Sequence, residues 1–429
     1  MTVLIFFALL FALLFAGVPI AFGMVVVGVA GFAVFTSLDA SLAMAGQVVY
    51  DTMQSYELSV LPLFILMGNF ISQSRMSDDL YAAANAFLGH RRGGLAMATI
   101  AASGGFSAVC GSSLATVATM SKVALPQMER FGYSRSLAAG SVAAGGTLGI
   151  LIPPSVVLIL YGIITENDIG ALFAGGLLPG VLGILLYCFA IQLVTWRNPT
   201  AGPRAERIPW GERLSALSRI WAVLALFLLI LGGIYGGVFT PTEAAGIGAF
   251  GAFMIALFRR TLSWRLLLRI LVDTGRTTAM IFMVLIGAML FSNFINIAGF
   301  PQALSDFVSG LGWGPAYVIV ALTLIYFVLG CLLESISMML LTVPVFYPVI
   351  LAAGIDPIWF GVFVVVVIEI GMITPPIGLN AFVIKATAPD IKISEVFVGL
   401  VPFVAVDLLR IVLLVVFPTI VLLLPRLFY

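Results

Sequence analysis

The chain has 429 residues, 62% of them hydrophobic and 9% charged, with 20 basic and 19 acidic side chains and a mean hydropathy of +1.19. An ordinary soluble domain runs near ~45–50% apolar and ~25% charged, so a soluble globular protein and a disordered chain are both excluded. Apolar runs as long as a bilayer core, without the alternation of a membrane strand, exclude a β-barrel as well, and no basic tract offers nucleic acid a surface.

The first run, Val3 to Phe15, lacks the basic residues that open a signal peptide and reads as a retained spanning helix. Further apolar segments fall at 20–36, 58–74, 135–164, 169–195, 217–236, 242–258, 277–295, 358–384 and 395–424, making ten crossings. Pro153-Pro154 interrupts the fourth of these crossings and Pro375-Pro376 the ninth. Two stretches, 94–128 and 314–350, hold Gly111-Ser112-Ser113 and Glu334-Ser335-Ile336-Ser337 at their centres and are expected as re-entrant hairpins, because irregular backbone at membrane depth is tolerated only inside protein or beside a cavity.

Charge tests this layout, since cytoplasmic loops collect Lys and Arg. The layout places eighteen of the twenty basic residues inside, among them Arg75, Arg91, Arg92, Lys122, Arg135, Arg204, Arg259, Arg276 and Lys385. The outer loops, Asp39–Glu57, Glu166–Asp168, Gly236–Thr240, Asn296–Trp313 and Ala353–Asp356, hold acids but neither Lys nor Arg. Both termini then face outward, Arg426 is the outer exception, and Arg410 lies within the last span.

Sliding the sequence on itself gives one dominant offset. Pro19 and Pro241, Pro126 and Pro348, Gly149 and Gly371, Pro153 and Pro375, and Pro154 and Pro376 are each 222 residues apart, and Asn69-Phe70-Ile71 recurs as Asn293-Phe294-Ile295. Five crossings per half is an odd number, so the second copy is expected upside down. The fold expected is an all-α polytopic membrane protein, an inverted repeat of five spanning helices and one re-entrant hairpin per half. The segments 1–92 and 217–313 would be scaffold helices, each with an arm helix (77–92 and 262–276). The segments 93–196 and 314–429 would be the two transport repeats, and 197–216 the cytoplasmic linker.

A Pro-Pro pair removes two backbone donors and forces each helix to break, which frees carbonyl oxygens at membrane depth. A hard cation such as Na⁺ suits them. Gly111, Ser112, Ser113 and Thr116 with the carbonyls of Gly149 and Ile152 form one candidate cation site, and Ser335 and Ser337 with Gly371 and Thr374 a second. Half-helix N-termini at Ser113, Pro154, Ser335 and Pro376 would present positive dipole ends to an anionic substrate. Packing of helices by small residues is the plainer reading of these serines. Three roles are open to Glu334: cation ligand, proton carrier or helix cap. Glu369 is a further acid expected within a span. Asp407 and Arg410, at i and i+3, are placed to neutralise each other. Cys110, Cys188 and Cys331 lie in apolar stretches, and with the single His90 they build neither a disulfide framework nor a metal cluster. No nucleotide-binding loop or hydrolytic triad occurs in the sequence, so energy must come from an ion gradient or not at all.

Gly149-Ile150-Leu151-Ile152-Pro153-Pro154-Ser155, Leu333-Glu334-Ser335-Ile336-Ser337 leading to Val343-Pro344, and Gly371-Met372-Ile373-Thr374-Pro375-Pro376-Ile377-Gly378-Leu379-Asn380 resemble the large membrane subunit of tripartite ATP-independent periplasmic (TRAP) transporters. The resemblance runs from Pro19 to Pro402. It implies a Na⁺-coupled importer of organic acids of the bacterial or archaeal cytoplasmic membrane, working by an elevator motion. A periplasmic substrate-binding protein would deliver the substrate, and a small four-helix membrane subunit, expected as a separate chain, would clamp the scaffold. The resemblance carries one Na⁺ site to Ser112, Ser113, Gly149, Ile152 and Pro154 and another to Ser335, Gly371, Thr374 and Pro376. The candidates for facing the substrate are Ser113, Thr116, Ser155, Glu334, Ser337 and Asn380. The second tip departs from the family's Asp-Pro-Thr type. Two other readings are a dicarboxylate or citrate symporter that needs no binding protein, and a membrane-embedded lipid-modifying enzyme using Glu334 or Glu369 as base, which lacks a second catalytic group.

Overall fold

The computed structural model describes residues 2–74, 76–312 and 314–429, with Val109 described by its backbone. Arg75, counted above among the inner basic residues, and Trp313, the end of an expected outer loop, lie outside the described residues. Within them the chain is built from helices, several of them started by a side-chain cap that the sequence supplies.

The first half comprises α1 (Thr2–Phe15), α2 (Ile20–Phe35), α3 (Leu38–Gln54), α4 (Val60–Gln73), α5 (Met76–Leu88), α6 (Gly94–Cys110), α7 (Ser113–Arg130), α8 (Arg135–Thr147), α9 (Val156–Thr165) and α10 (Ile169–Arg197). A short connecting helix, α11 (Trp210–Arg219), follows. The second half comprises α12 (Trp221–Tyr235), α13 (Pro241–Phe258), α14 (Trp264–Ile297), α15 (Phe300–Gly310), α16 (Pro315–Gly330), α17 (Ser335–Ala352), α18 (Pro357–Ile373), α19 (Leu379–Thr387), α20 (Ile393–Val416) and α21 (Thr419–Phe428). At the sequence offset of 222, α1 corresponds to α12, α2 to α13, the pair α3 and α4 to the continuous α14, and α5 through α10 to α15 through α20. Caps recur with them. Ser112 and Glu334 each accept from the amide three residues on, at 3.4 and 3.2 Å, as do Ser134 and Asp356, at 3.4 and 3.0 Å. Thr240 and Glu243 form a reciprocal capping box at the start of α13, with Pro241 in its first turn.

Packing exchanges the halves. α2 lies along α14, and α13 along α4. Each hairpin's second arm packs on the other half's short helix, α7 on α19 and α17 on α9. Glycine sets the closest approaches: a Cβ on Gly28 would stand 2.7 Å from the Leu290 backbone, and one on Gly140 2.3 Å from the carbonyl oxygen of Gly399.

Five described helices are long and apolar enough to cross a membrane, seven when each of two bent pairs is one span, and seven shorter apolar helices accompany them. The loops assigned to the basic side contact one another. Arg259 pairs with Asp79 at 2.5 Å and bonds the carbonyl of Arg219, and Arg135 donates to the Asp390 carbonyl at 3.5 Å. The loops assigned to the acidic side do the same: Asn167 donates to Tyr347 Oη at 2.9 Å, and Tyr161 to the Pro357 carbonyl at 2.7 Å.

Three expectations need correction. The outer loop expected at 39–57 is mostly helix, α3, which Ser37 caps by accepting from Ala40 at 3.2 Å. The segment 262–276 is not a separate arm helix: nothing after Trp264 breaks it, and it forms the first part of the 34-residue α14. The counterpart of α5 is instead α15. The last span does not run to 424 but ends at Val416, where Pro418 prevents continuation before α21.

Candidate functional site

Both helices break where expected. In the first, α8 gives way at Thr147 to a 3₁₀ turn (Leu148–Ile150), passes through the cis Pro153-Pro154 bond, and resumes as α9 at Ser155. Ser155 Oγ accepts from the Leu158 amide at 3.2 Å and donates to the Ile150 carbonyl. In the second, α18 ends at Thr374, the chain passes the cis Pro375-Pro376 bond, and Gly378, at φ +60°, turns it into α19. Thr374 Oγ1 donates back to the Ile370 carbonyl at 2.6 Å. The breaks lie where two apolar cores join: Ile150 and Leu151 belong to one core and Leu148 and Ile152 to the other, with Ile370 and Ile373 divided in the same way.

The first hairpin tip is a two-residue turn in which Gly111 takes φ +62° and Ser112 caps α7. It rests directly on the first break. A Cβ on Gly149 would lie 2.8 Å from the Ser112 carbonyl oxygen and 2.9 Å from the Ser113 nitrogen, and one on Gly111 3.3 Å from the Pro154 carbonyl oxygen. Ser112, Ser113, Gly149 and Pro154 are thus brought together, while the Ile152 side chain is turned toward Gly180 on α10. Ser113 Oγ is buried and has no hydrogen-bond partner among the described residues. A buried hydroxyl without a partner is costly, and beside backbone oxygens it is a donor set that fits a hard cation. No group of three His, Cys, Asp or Glu residues suited to a transition metal occurs among the described residues.

The second tip differs. Its connection runs through Cys331, Leu332, Leu333 and Glu334, so the contact with the break comes before the tip. A Cβ on Gly371 would lie 2.6 Å from Gly330 Cα, and Cys331 Sγ donates to the Pro375 carbonyl at 3.4 Å. These contacts with Gly371 and Pro375 are made by Gly330 and Cys331, ahead of Ser335 in the chain. Ser335 Oγ instead donates to Glu334 Oε1 at 3.2 Å.

Between the tips lies a cavity of about 610 Å³, within the range of small-molecule sites. Both tips, the first turn of α2, Asn69 on α4 and Thr277 to Val284 on α14 line it. Of the residues expected to face a substrate, Ser113, Glu334 and Ser337 line this cavity and the other three do not. Thr116 is held by its own helix, Oγ1 donating to the Ser112 carbonyl at 2.8 Å; Ser155 is the buried cap of α9; and Asn380 is buried against α8, donating to the Ala143 carbonyl at 3.2 Å. Glu334 caps α17: it accepts from the Ser337 amide at 3.2 Å and from Ser337 Oγ at 3.3 Å. It is also the only charged side chain on the described wall. Sequence reasoning missed Asn69 and Thr277. The repeat of Asn69-Phe70-Ile71 was the available signal, and Asn69 does reach across to α14, donating to Thr274 Oγ1 at 2.8 Å.

A second polar centre ties the breaks together. Arg410, fully buried, lies 2.9 Å from Asp407 Oδ1 and 3.7 Å from Glu369 Oε2. Tyr187 Oη donates to Asp407 Oδ2 at 2.6 Å and shares a 2.9 Å hydrogen bond with Thr147. Thr147 and Glu369 are 222 residues apart, the same position on the two broken helices. A Cβ on Gly183 would meet the Arg410 guanidinium at 2.4 Å, so that glycine makes room for it.

Comparison with known proteins adds to this geometry. Residues 7–420 match the family described as "Tripartite ATP-independent periplasmic transporter, DctM component". A C4-dicarboxylate TRAP transporter large permease protein of Pseudomonas aeruginosa is 36% identical, over 88% of each chain. A sialic acid TRAP transporter large permease protein of Vibrio cholerae is 32% identical, over 97% of this chain and 96% of its own. Among solved structures the Alcanivorax borkumensis YdaH transporter shares the fold, with a TM-score of 0.61 at 16% identity, over 88% of this chain and 89% of its own.

Proposed function

The chain belongs to the DctM-component family, the large permease subunit of TRAP transporters, and from that premise we propose that it imports a small carboxylate coupled to Na⁺. A periplasmic binding protein delivers the substrate, and a small membrane subunit completes the assembly. Both tips and both breaks move as one unit against the scaffold of α1 to α4 and α12 to α14.

One observation carries the coupling. The cavity between the tips presents a carboxylate, Glu334, and neither a guanidinium nor an ammonium group on its described wall. A carboxylate substrate desolvated there needs positive charge, since an uncompensated buried charge costs several kcal/mol. The N-termini of α7 and α17 offer a partial charge each, and a cation entering with the substrate offers a full one. The contact of the first tip with the break at Gly149, with the orphan hydroxyl of Ser113, is the place for it. The group, when bound, supplies positive charge to the tips; the chain's own part is to hold oxygens in place and exclude water.

The exchange of packing partners between halves supports an inverted repeat. In such a repeat the two breaks face opposite sides of the membrane, and they differ here: Pro153, Pro154 and Ser155 are buried, whereas Pro375 and Pro376 are exposed. That difference fits a state open toward the side carrying Lys385 and Lys392.

Uptake of labelled C4-dicarboxylate and sialic acid into proteoliposomes holding this chain with its small subunit tests the proposal. Accumulation of either acid that requires both an inward Na⁺ gradient and the binding protein is expected. Accumulation without binding protein would overturn the tripartite reading, and accumulation unchanged when K⁺ replaces Na⁺ would overturn the coupling.

A further inference from the structure

The end of α10 on the basic side of the molecule carries a feature that transport of the substrate leaves unused. Along its outer face Leu185, Phe189 and Trp196 are 62%, 56% and 74% exposed, with Leu193 between them. Eleven rises of ~1.5 Å from Leu185 to Trp196 make this ridge about 16 Å long, close to the ~15 Å hydrocarbon depth of one leaflet. At its foot opens a cavity of about 680 Å³ walled by His90, Arg91, Arg92 and Arg204 together with Phe189 and Trp196, and among the described residues no acid lines it.

The backbone that carries this cradle is tied together. The connector after α10 folds back onto the loop before α6: Gly93 donates to the Gly202 carbonyl at 2.9 Å, Ala205 to the Gly89 carbonyl at 3.1 Å, and Tyr133 Oη to the Pro203 carbonyl at 2.9 Å. Arg204 is thereby fixed beside Arg91 and Arg92. Gly93, at φ +70°, allows the approach, since a Cβ there would lie 2.6 Å from Ile191. His90 Nδ1 is buried and has no hydrogen-bond partner among the described residues. Burial first, and then the charges of Arg213, Arg207, Arg91 and Arg204, hold its imidazole below the ordinary range. Among the described residues no acid on the cavity wall offsets the positive field of the arginines.

We propose that this cradle is a binding site for an anionic glycerophospholipid, the phosphate held by Arg91, Arg92 and Arg204 and the acyl chains lying along Leu185, Phe189 and Leu193. Three guanidinium groups converging on one cavity match phosphate oxygens, and a basic pocket at the foot of an apolar helix face is the arrangement that anionic headgroups recognise. Free phosphate shares the headgroup's chemistry but has no use for the ridge.

Trp196 reports occupancy directly. The full chain is reconstituted in phosphatidylcholine vesicles containing a minor fraction of either phosphatidylglycerol or phosphatidylcholine with brominated acyl chains, and the Trp196 signal is taken as the difference from Trp196→Phe. Brominated phosphatidylglycerol is expected to quench at about fivefold lower mole fraction than brominated phosphatidylcholine. The charge-neutral variant Arg91→Gln/Arg92→Gln/Arg204→Gln should lose that preference while keeping ordinary quenching by phosphatidylcholine, which shows that it is folded. Should it fail to fold, Arg204→Gln alone is expected to lower the preference. Equal quenching by the two lipids in the wild type, a preference unchanged in the neutral variants, or its abolition by inorganic phosphate at matched ionic strength would each overturn the proposal, the last assigning the cradle to a free anion.

Discussion

Ser113 and Glu334 sit in the same cavity and differ in what they lack. The hydroxyl of Ser113 has no hydrogen-bond partner in the described structure, whereas the carboxylate of Glu334 has three, from Ser335 Oγ, the Ser337 amide and Ser337 Oγ. Ser113→Ala is therefore expected to leave thermal stability nearly unchanged and to raise the Na⁺ concentration for half-maximal uptake about tenfold, the ~1.4 kcal/mol of one hydrogen bond or ligand. An unchanged Na⁺ dependence would show that this hydroxyl holds no cation. Glu334→Gln keeps an acceptor for the Ser337 amide and removes a negative charge from the wall. Uptake of an anionic acid should then persist, with KM lowered by a factor of a few. Collapse of uptake together with Na⁺ dependence would make Glu334 a cation ligand, and loss of thermal stability alone would make the cap its whole role.

Among the elements, the two broken helices are joined by a buried charge cluster, and its energetics set a sharp contrast. Arg410→Leu strands the carboxylates of Glu369 and Asp407 inside the protein and should destabilise it by ~3–5 kcal/mol, read as a large fall in melting temperature in detergent. The triple variant Glu369→Leu/Asp407→Leu/Arg410→Leu removes every charge and should recover much of that loss; equal damage in both would mean that packing, not charge, explains the effect. The pair Asp407 and Arg410 was legible in sequence from spacing alone. Tyr187, Thr147 and Glu369 were not, because nothing local marks which polar residues of separate helices will meet. The helix breaks were legible for the opposite reason: a Pro-Pro pair acts on its own backbone wherever it sits. The second tip shows the limit of reading one repeat from the other. Ser335 occupies the place of Ser113 in sequence, yet a connection of four residues in place of two gives the contact with Gly371 to Gly330. The arm helices were misjudged similarly, since 262–276 resembles 77–92 in charge while the offset of 222 pairs 77–92 with α15.

For the molecule as a whole, the charge asymmetry of the loops predicts a topology, and loops that it assigns to one side contact one another. α21 packs along α10, and the Tyr429 hydroxyl would meet a Cβ on Gly170, beside Asp168, which places the C-terminal residue with the acidic loop of Glu166 to Asp168. A reporter active only outside the cell, fused after Tyr429, should be active, while the same reporter inserted at Arg207 should be silent; the reverse pattern would invert the membrane orientation argued from Lys and Arg. Two halves with exchanged packing, one break sealed and the other open, make a molecule with two ends of one cycle. The proposed coupling requires that the cation and the acid travel together. The most direct test measures radiolabelled Na⁺ and labelled substrate entering the same proteoliposomes in the presence of binding protein and small subunit. Na⁺ entry that depends on substrate, in a fixed ratio, and is lost in Gly149→Ala, where the Cβ would part the tip from the break, is the result predicted. Substrate accumulation with no accompanying Na⁺ would contradict the account.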